Sequence, residues 1–159
     1  SIDYYEEFEK PKIIYPNICK RPEYTYDLSG TYTNQKCFII TIEDKYLLGI
    51  LNSSVVFFLF RQLLPKLRGD FYEPSYVYFK TFPIPVLDLS NKTDKNRHDR
   101  ITALVERMLT LHQQTATAAT DHERTLIERQ ITATDRQIDQ LVYALYGLTD
   151  EEIALVEGE

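Results

Sequence analysis

From residue 101 onward the apolar residues fall into a repeat that few folds can accommodate. Ile101, Leu104, Met108, Leu111, Thr115 and Ala118 are spaced 3, 4, 3, 4 and 3 apart; Ile127, Ile131, Thr134, Ile138, Leu141 and Leu145 are spaced 4, 3, 4, 3 and 4. That period places one apolar seam along a helix for packing against another helix. Between the two runs, Thr120 and Glu123 have the spacing of a capping box, which predicts a turn and a restart. Gly147 falls where a helix meets its left-handed terminating residue, and Thr149 with Glu152 repeats the capping-box spacing for a short last helix. The expected product is an antiparallel helical hairpin.

Before residue 87 the pattern is different. The stretches IIY, TYTN (31–34) and KCFIITI are β-branched or aromatic, and PN, KRPE, DLSG and TNQ punctuate them, so several short strands are expected over residues 12–42. Asp44 can cap a helix carrying Leu47, Leu48, Leu51, Val55, Phe58, Leu59 and Gln62 at helical spacing. Asn52-Ser53-Ser54 is placed to bend or split that helix, and Pro65 to stop it. From Leu67 strand character returns, with Gly69 opening a turn and VYFKTF alternating imperfectly. FPIPV (82–86) closes the segment: Pro83 and Pro85 forbid ladder pairing and helix entry, which gives a stiff, extended exit. A polar linker, DLSNKTDKN, is expected to follow. The fold class expected is therefore α+β, with a small mixed α/β lobe over residues 1–86 and a helical hairpin with a short terminal helix over 87–159.

The charge changes at the same place. Residues 1–86 hold ten Lys/Arg and ten Asp/Glu, whereas residues 87–159 hold eight against fourteen. Without the acidic leader SIDYYEEFE, the first part is mildly basic, and the overall charge of −6 conceals this. The 12 Tyr and 8 Phe also lie mostly before residue 83. Cys19 and Cys37 form no metal or disulfide framework; pairing across neighbouring strands and free thiols in a reducing cytoplasm are both open, the second favoured. YLLGILNSSVVFFLF (46–60) is the one membrane candidate. Its polar centre and the Arg61 that follows favour a buried helix instead. The start at Ser without Met points to an excised segment, with catalytic motifs expected upstream.

Several chemistries lack their motif. There is no G-x-G turn for a nucleotide or S-adenosylmethionine and no Gly-x-Ser-x-Gly elbow, and His98, His112 and His122 share no face for a metal. Asp27 followed by Glu43-Asp44-Lys45 fits the loose acid…acid-x-Lys pattern of Mg²⁺-dependent nucleases. However, carboxylates at that point also suit a helix cap and the first-turn dipole. The more informative group is Lys12, Lys20, Arg21, Lys36, Lys66, Arg68 and Lys80, interleaved with Tyr24, Tyr26, Tyr32, Gln35, Tyr72, Tyr76 and Tyr78. Cations neutralise phosphates, and Arg, Gln and Asn make bidentate contacts to base edges. On composition alone, a solvated sheet face with half-buried tyrosines competes with DNA binding and outweighs it.

The order of several stretches shifts that balance. KPKIIYPNI (10–18), KYLLGILNSSVVFFLF (45–60), LRG (67–69), FPIPV (82–86) and QLVYALYGLTDEEIALVE (140–157) together resemble one family. It is the TaqI-like C-terminal specificity domain of adenine-specific DNA methyltransferases and single-chain restriction-modification enzymes, and the resemblance runs from about Lys10 through nearly the whole chain. It implies a target recognition domain, non-catalytic by itself, that binds double-stranded DNA in a cytoplasmic setting. A catalytic domain upstream in the same polypeptide would bind S-adenosylmethionine, and a nuclease domain, where present, Mg²⁺. The residues expected to face DNA are Lys20, Arg21, Gln35, Lys36, Lys66, Arg68 and Tyr72, with Arg68 beside Gly69 foremost. The alternatives are a protein-interaction module built on the hairpin and, behind it, the nuclease.

Overall fold

Asp44 does cap a helix: its side chain accepts from the Leu47 amide, and α1 runs Lys45–Leu51. Asn52 ends it, and the Ser53 hydroxyl caps a second helix, α2, at Ser54–Leu63. The two axes are bent by 54°. The break resets the helical phase, so α2 buries Val55, Val56 and Phe60. Phe58 and Leu59, expected from an unbroken period, are only half-buried, and Gln62 is exposed. No single helix among the described residues is long and apolar enough to cross a membrane.

The computed structural model describes residues 5–33 and 36–158. The described chain divides into two compact units, Ser1–Ile84 and Pro85–Glu159, which meet within FPIPV. The fold class is α+β.

In the first unit β1 (Lys12–Pro16) is the centre of a three-stranded antiparallel sheet between β2 (Thr25–Asp27) and β3 (Cys37–Ile40). Its registers pair Lys12 with Asp27 and Pro16 with Cys37. TYTN was expected as a strand, but residues 31–33 are irregular and Asn34 lies outside the described residues. Strand β2 lies earlier because Asp27 turns the chain there, accepting from the amides of Ser29 and Thr31. A two-stranded hairpin follows, β4 (Lys66–Leu67) and β5 (Phe71–Tyr72). YVYF, expected to be a strand, is instead a one-turn helix, α3 (Tyr76–Phe79), in which the Ser75 carbonyl accepts from Tyr78 and Phe79. Phe79 and Phe82, three residues apart, turn to the core together, which is a helical spacing. The core joins Ile13, Ile50, Leu51, Val56 and Phe60 to an aromatic cluster. In that cluster Tyr15 lies 5.1 Å from Tyr24 and 5.7 Å from Phe79, and Phe60 lies 5.9 Å from Phe82. Much of the tyrosine excess is therefore core.

In the second unit α4 (Lys92–Thr117) packs along α5 (Asp121–Tyr146). Helix α4 starts inside the expected linker, because Asn91 caps it by accepting from Thr93 and Asp94, and Lys95–Asp99 supports its first turns. Thr120 caps α5, Gly147 ends it at φ 65°, and the Thr149/Glu152 capping box opens α6 (Asp150–Glu157). The seam buries Ile101, Leu111, Ile127, Thr134 and Ile138. It departs from the heptads at Val105 and Val142, which are buried where Leu104 and Leu141 were expected.

Candidate nucleic-acid interface

Backbone pairing gathers basic residues that are scattered along the sequence. Just beyond β1, the Asn17 amide donates to the Lys36 carbonyl at 2.8 Å. Two residues later Cys19 exchanges both backbone hydrogen bonds with Tyr72, at 3.1 and 2.8 Å, and so extends the β4–β5 hairpin by a third segment. Asn52 holds the next loop: its Oδ1 accepts from the Tyr24 amide and its Nδ2 donates to the Tyr24 carbonyl, both at 2.9 Å. Lys20 and Arg21 therefore lie on a short span anchored at both ends. Lys66 and Arg68 lie on the hairpin bonded to it, and Lys36 on the strand end beside it.

All five of these cations are exposed. The Lys20 ammonium lies 5.1 Å from the Phe71 ring centroid. Lys66 pairs with Asp70 at 2.8 Å across the hairpin turn. Arg68 has no ion-pair partner among the described residues. Gly69 has φ +85°, which favours glycine at the tip, and a Cβ there would touch the Phe71 ring at 3.4 Å. Beneath this surface, burial pushes the Cys19 thiol up to about 11, which marks an inert anchor. Both cysteines are free.

Tyr72 is only 6 % exposed; its ring packs against Phe57 and Phe60, so it supports the hairpin from below and cannot face a duplex. Gln35 lies outside the described residues. Lys12, of the wider cationic group, is not at the surface. It is fully buried, and its ammonium donates to Asp27 at 2.5 Å and to the Phe8 carbonyl at 2.6 Å. Sequence reasoning passed over Phe71, which carries Lys20, and Asp70, which pairs Lys66; the Gly-Asp turn in LRGDFY was the available signal. It also gave Asn52 no role beyond a break.

Two carboxylates of the nuclease pattern, Asp27 and Asp44, are engaged in structure, and Glu43 is exposed. Asp27 takes hydrogen bonds from Lys12, from Ser29 Oγ at 2.6 Å and from the Thr31 amide at 2.9 Å. Burial raises its pKa, but these donors outweigh burial and hold the carboxyl well below the usual range. Asp44 is occupied as the α1 cap, and Lys45 lies 5.9 Å from the Tyr26 ring centroid. Among the described residues, no group of three or more His, Cys, Asp or Glu is placed to hold a metal ion.

No curated protein matches the chain. The family model of the TaqI-like C-terminal specificity domain matches residues 1–84. That match includes the leader and stops at Ile84, where the first compact unit ends. The ending QLVYALYGLTDEEIALVE, counted in the resemblance, lies outside it. With its first unit matched from end to end, the chain belongs to the TaqI-like C-terminal specificity domains, the DNA sequence-specificity domains of methyltransferases and restriction enzymes.

Proposed function

We infer that the chain is the target recognition domain of an N6-adenine DNA methyltransferase or type II restriction-modification polypeptide, cytoplasmic and non-catalytic by itself. The observation that carries this reading is the family match over the unit that contains Lys20, Arg21, Lys36, Lys66 and Arg68. In this reading the cations bind phosphates and Arg68, at the hairpin tip, reads a base. S-adenosylmethionine, and Mg²⁺ where the polypeptide also cuts, belong to catalytic domains elsewhere in it. The helical unit acts as spacer and docking surface. The test exchanges residues 1–84 between two full-length enzymes of different specificity. The methylated sequence is expected to follow the lobe, and a sequence that stays with the recipient refutes the reading. Arg68→Ala is expected to cost about 1–3 kcal/mol on one sequence, whereas Lys20→Ala weakens binding to all sequences alike.

A second reading, the helical unit as a protein-interaction module, is favoured by a groove of about 600 Å³ beside the α4–α5 seam. Ala103, Leu104 and Leu141 line it together with Arg100 and Arg136. Sedimentation of the full chain separates the two: self-association abolished by Leu104→Glu supports this module.

A further inference from the structure

The tip of the β4–β5 hairpin carries an anion that a phosphate-binding surface does not need. Among the described residues, Asp70 is the one non-glycine residue with a left-handed backbone, φ 62°, and it follows Gly69 at φ 85°. Glycine, asparagine and aspartate all fill left-handed turn positions, so the backbone admits Asp70 without giving its charge a reason. The ion pair with Lys66 does not supply it. Its side chains are 60 % and 79 % exposed, and exposed pairs of this kind contribute little. Lys66, by hydrogen bond and charge, and Lys20, by charge, keep the Asp70 carboxyl below its usual range, so it is ionised at neutral pH.

A carboxylate among Lys20, Lys66 and Arg68 weakens phosphate binding. What it gains is selectivity, because an ionised carboxylate only accepts hydrogen bonds. The donors a duplex offers in its major groove are the amino groups of cytosine and adenine, and the cytosine N4 amino group is the usual partner of Asp. A two-stranded β-ribbon fits that groove. We propose that Asp70, at the tip of the β4–β5 hairpin, is a base-reading residue that accepts a hydrogen bond from cytosine N4. This rests on the target-recognition reading above. Arg68, two residues away on the same turn, has the chemistry to take a guanine O6/N7 edge, so the tip carries both halves of a G·C-reading pair.

The test measures methylation of a randomised duplex library by the full-length enzyme carrying this lobe, as wild type, Asp70→Asn and Asp70→Gly. Both replacements suit an exposed left-handed position, so the hairpin is retained. One position of the wild-type site is expected to demand cytosine by roughly five- to 150-fold over other bases. Asp70→Gly flattens that position alone, and Asp70→Asn moves its preference toward adenine, whose N6/N7 edge pairs with an amide. Unchanged preference at every position overturns the assignment. So does uniform tightening on all sequences, which would make Asp70 a mere repeller of phosphate. A wild-type preference that does not travel with residues 1–84 in the lobe exchange overturns the target-recognition reading itself.

Discussion

Lys12 and Asp27 illustrate how residue identity misleads without register. In the sequence Lys12 stands among cations suited to phosphate and Asp27 among acids suited to Mg²⁺. The β1–β2 register sets them opposite each other and removes both from those roles. Nothing local signals a pairing across fifteen residues, whereas the Asp44 cap and the Thr149/Glu152 box are local and were legible. Removing one member of a buried pair strands the other charge. Asp27→Ala is therefore expected to destabilise the protein by about 3–5 kcal/mol in urea unfolding, and Lys12→Met with Asp27→Leu to recover most of that. The pH dependence has a definite sign. Because the folded carboxyl lies below its unfolded value, its stabilisation is complete above about pH 4–5 and is lost as pH falls through the folded value. The thermal midpoint of the double variant should accordingly fall less steeply between neutral and acidic pH than that of the wild type.

At the scale of elements, the hairpin and its anchors decide whether the basic residues act together. Its two strands are only two residues each, too short for independent stability, and the Cys19 pairing and the Tyr72 ring hold it to the lobe. Gly69→Ala places a side chain in the left-handed region and against Phe71, at a cost of about 1–2 kcal/mol borne by the tip. Amide exchange is the measurement: protection should drop at Cys19 and Tyr72 and hold at Ile50 and Leu51. Asn52→Ala leaves the Tyr24 amide and carbonyl without that partner and should cost about 1–3 kcal/mol in thermal unfolding. These elements were partly legible. The LRGD turn and the Asn52 break are punctuation that a sequence displays. The one-turn α3 is not, because its Tyr, Val and Phe carry strand propensity, whereas the Phe79–Phe82 packing that goes with the helical turn is tertiary.

For the whole molecule, the two units divide the charge: the first is neutral overall with converging cations, and the second carries the net −6. A uniformly acidic protein would repel DNA, whereas a segregated one orients itself on it. The helical unit was legible almost entirely because its order follows from period and caps, which are local. The proposed interface was legible only as a composition, since what brings the segments of Lys20, Lys36 and Lys66 together is non-local pairing through Asn17, Cys19 and Tyr72. Salt dependence distinguishes segregated from uniform charge. If the lobe alone meets the duplex, Lys20→Ala or Lys36→Ala should each lower the slope of log affinity against log salt by about 1 in the full-length enzyme. Lys92→Ala and Arg124→Ala, on the helical unit, should leave that slope unchanged. A slope that responds equally to substitutions in both units would mean that the helices also contact the backbone, and the acidic unit would then be a second DNA-binding surface and not the spacer proposed.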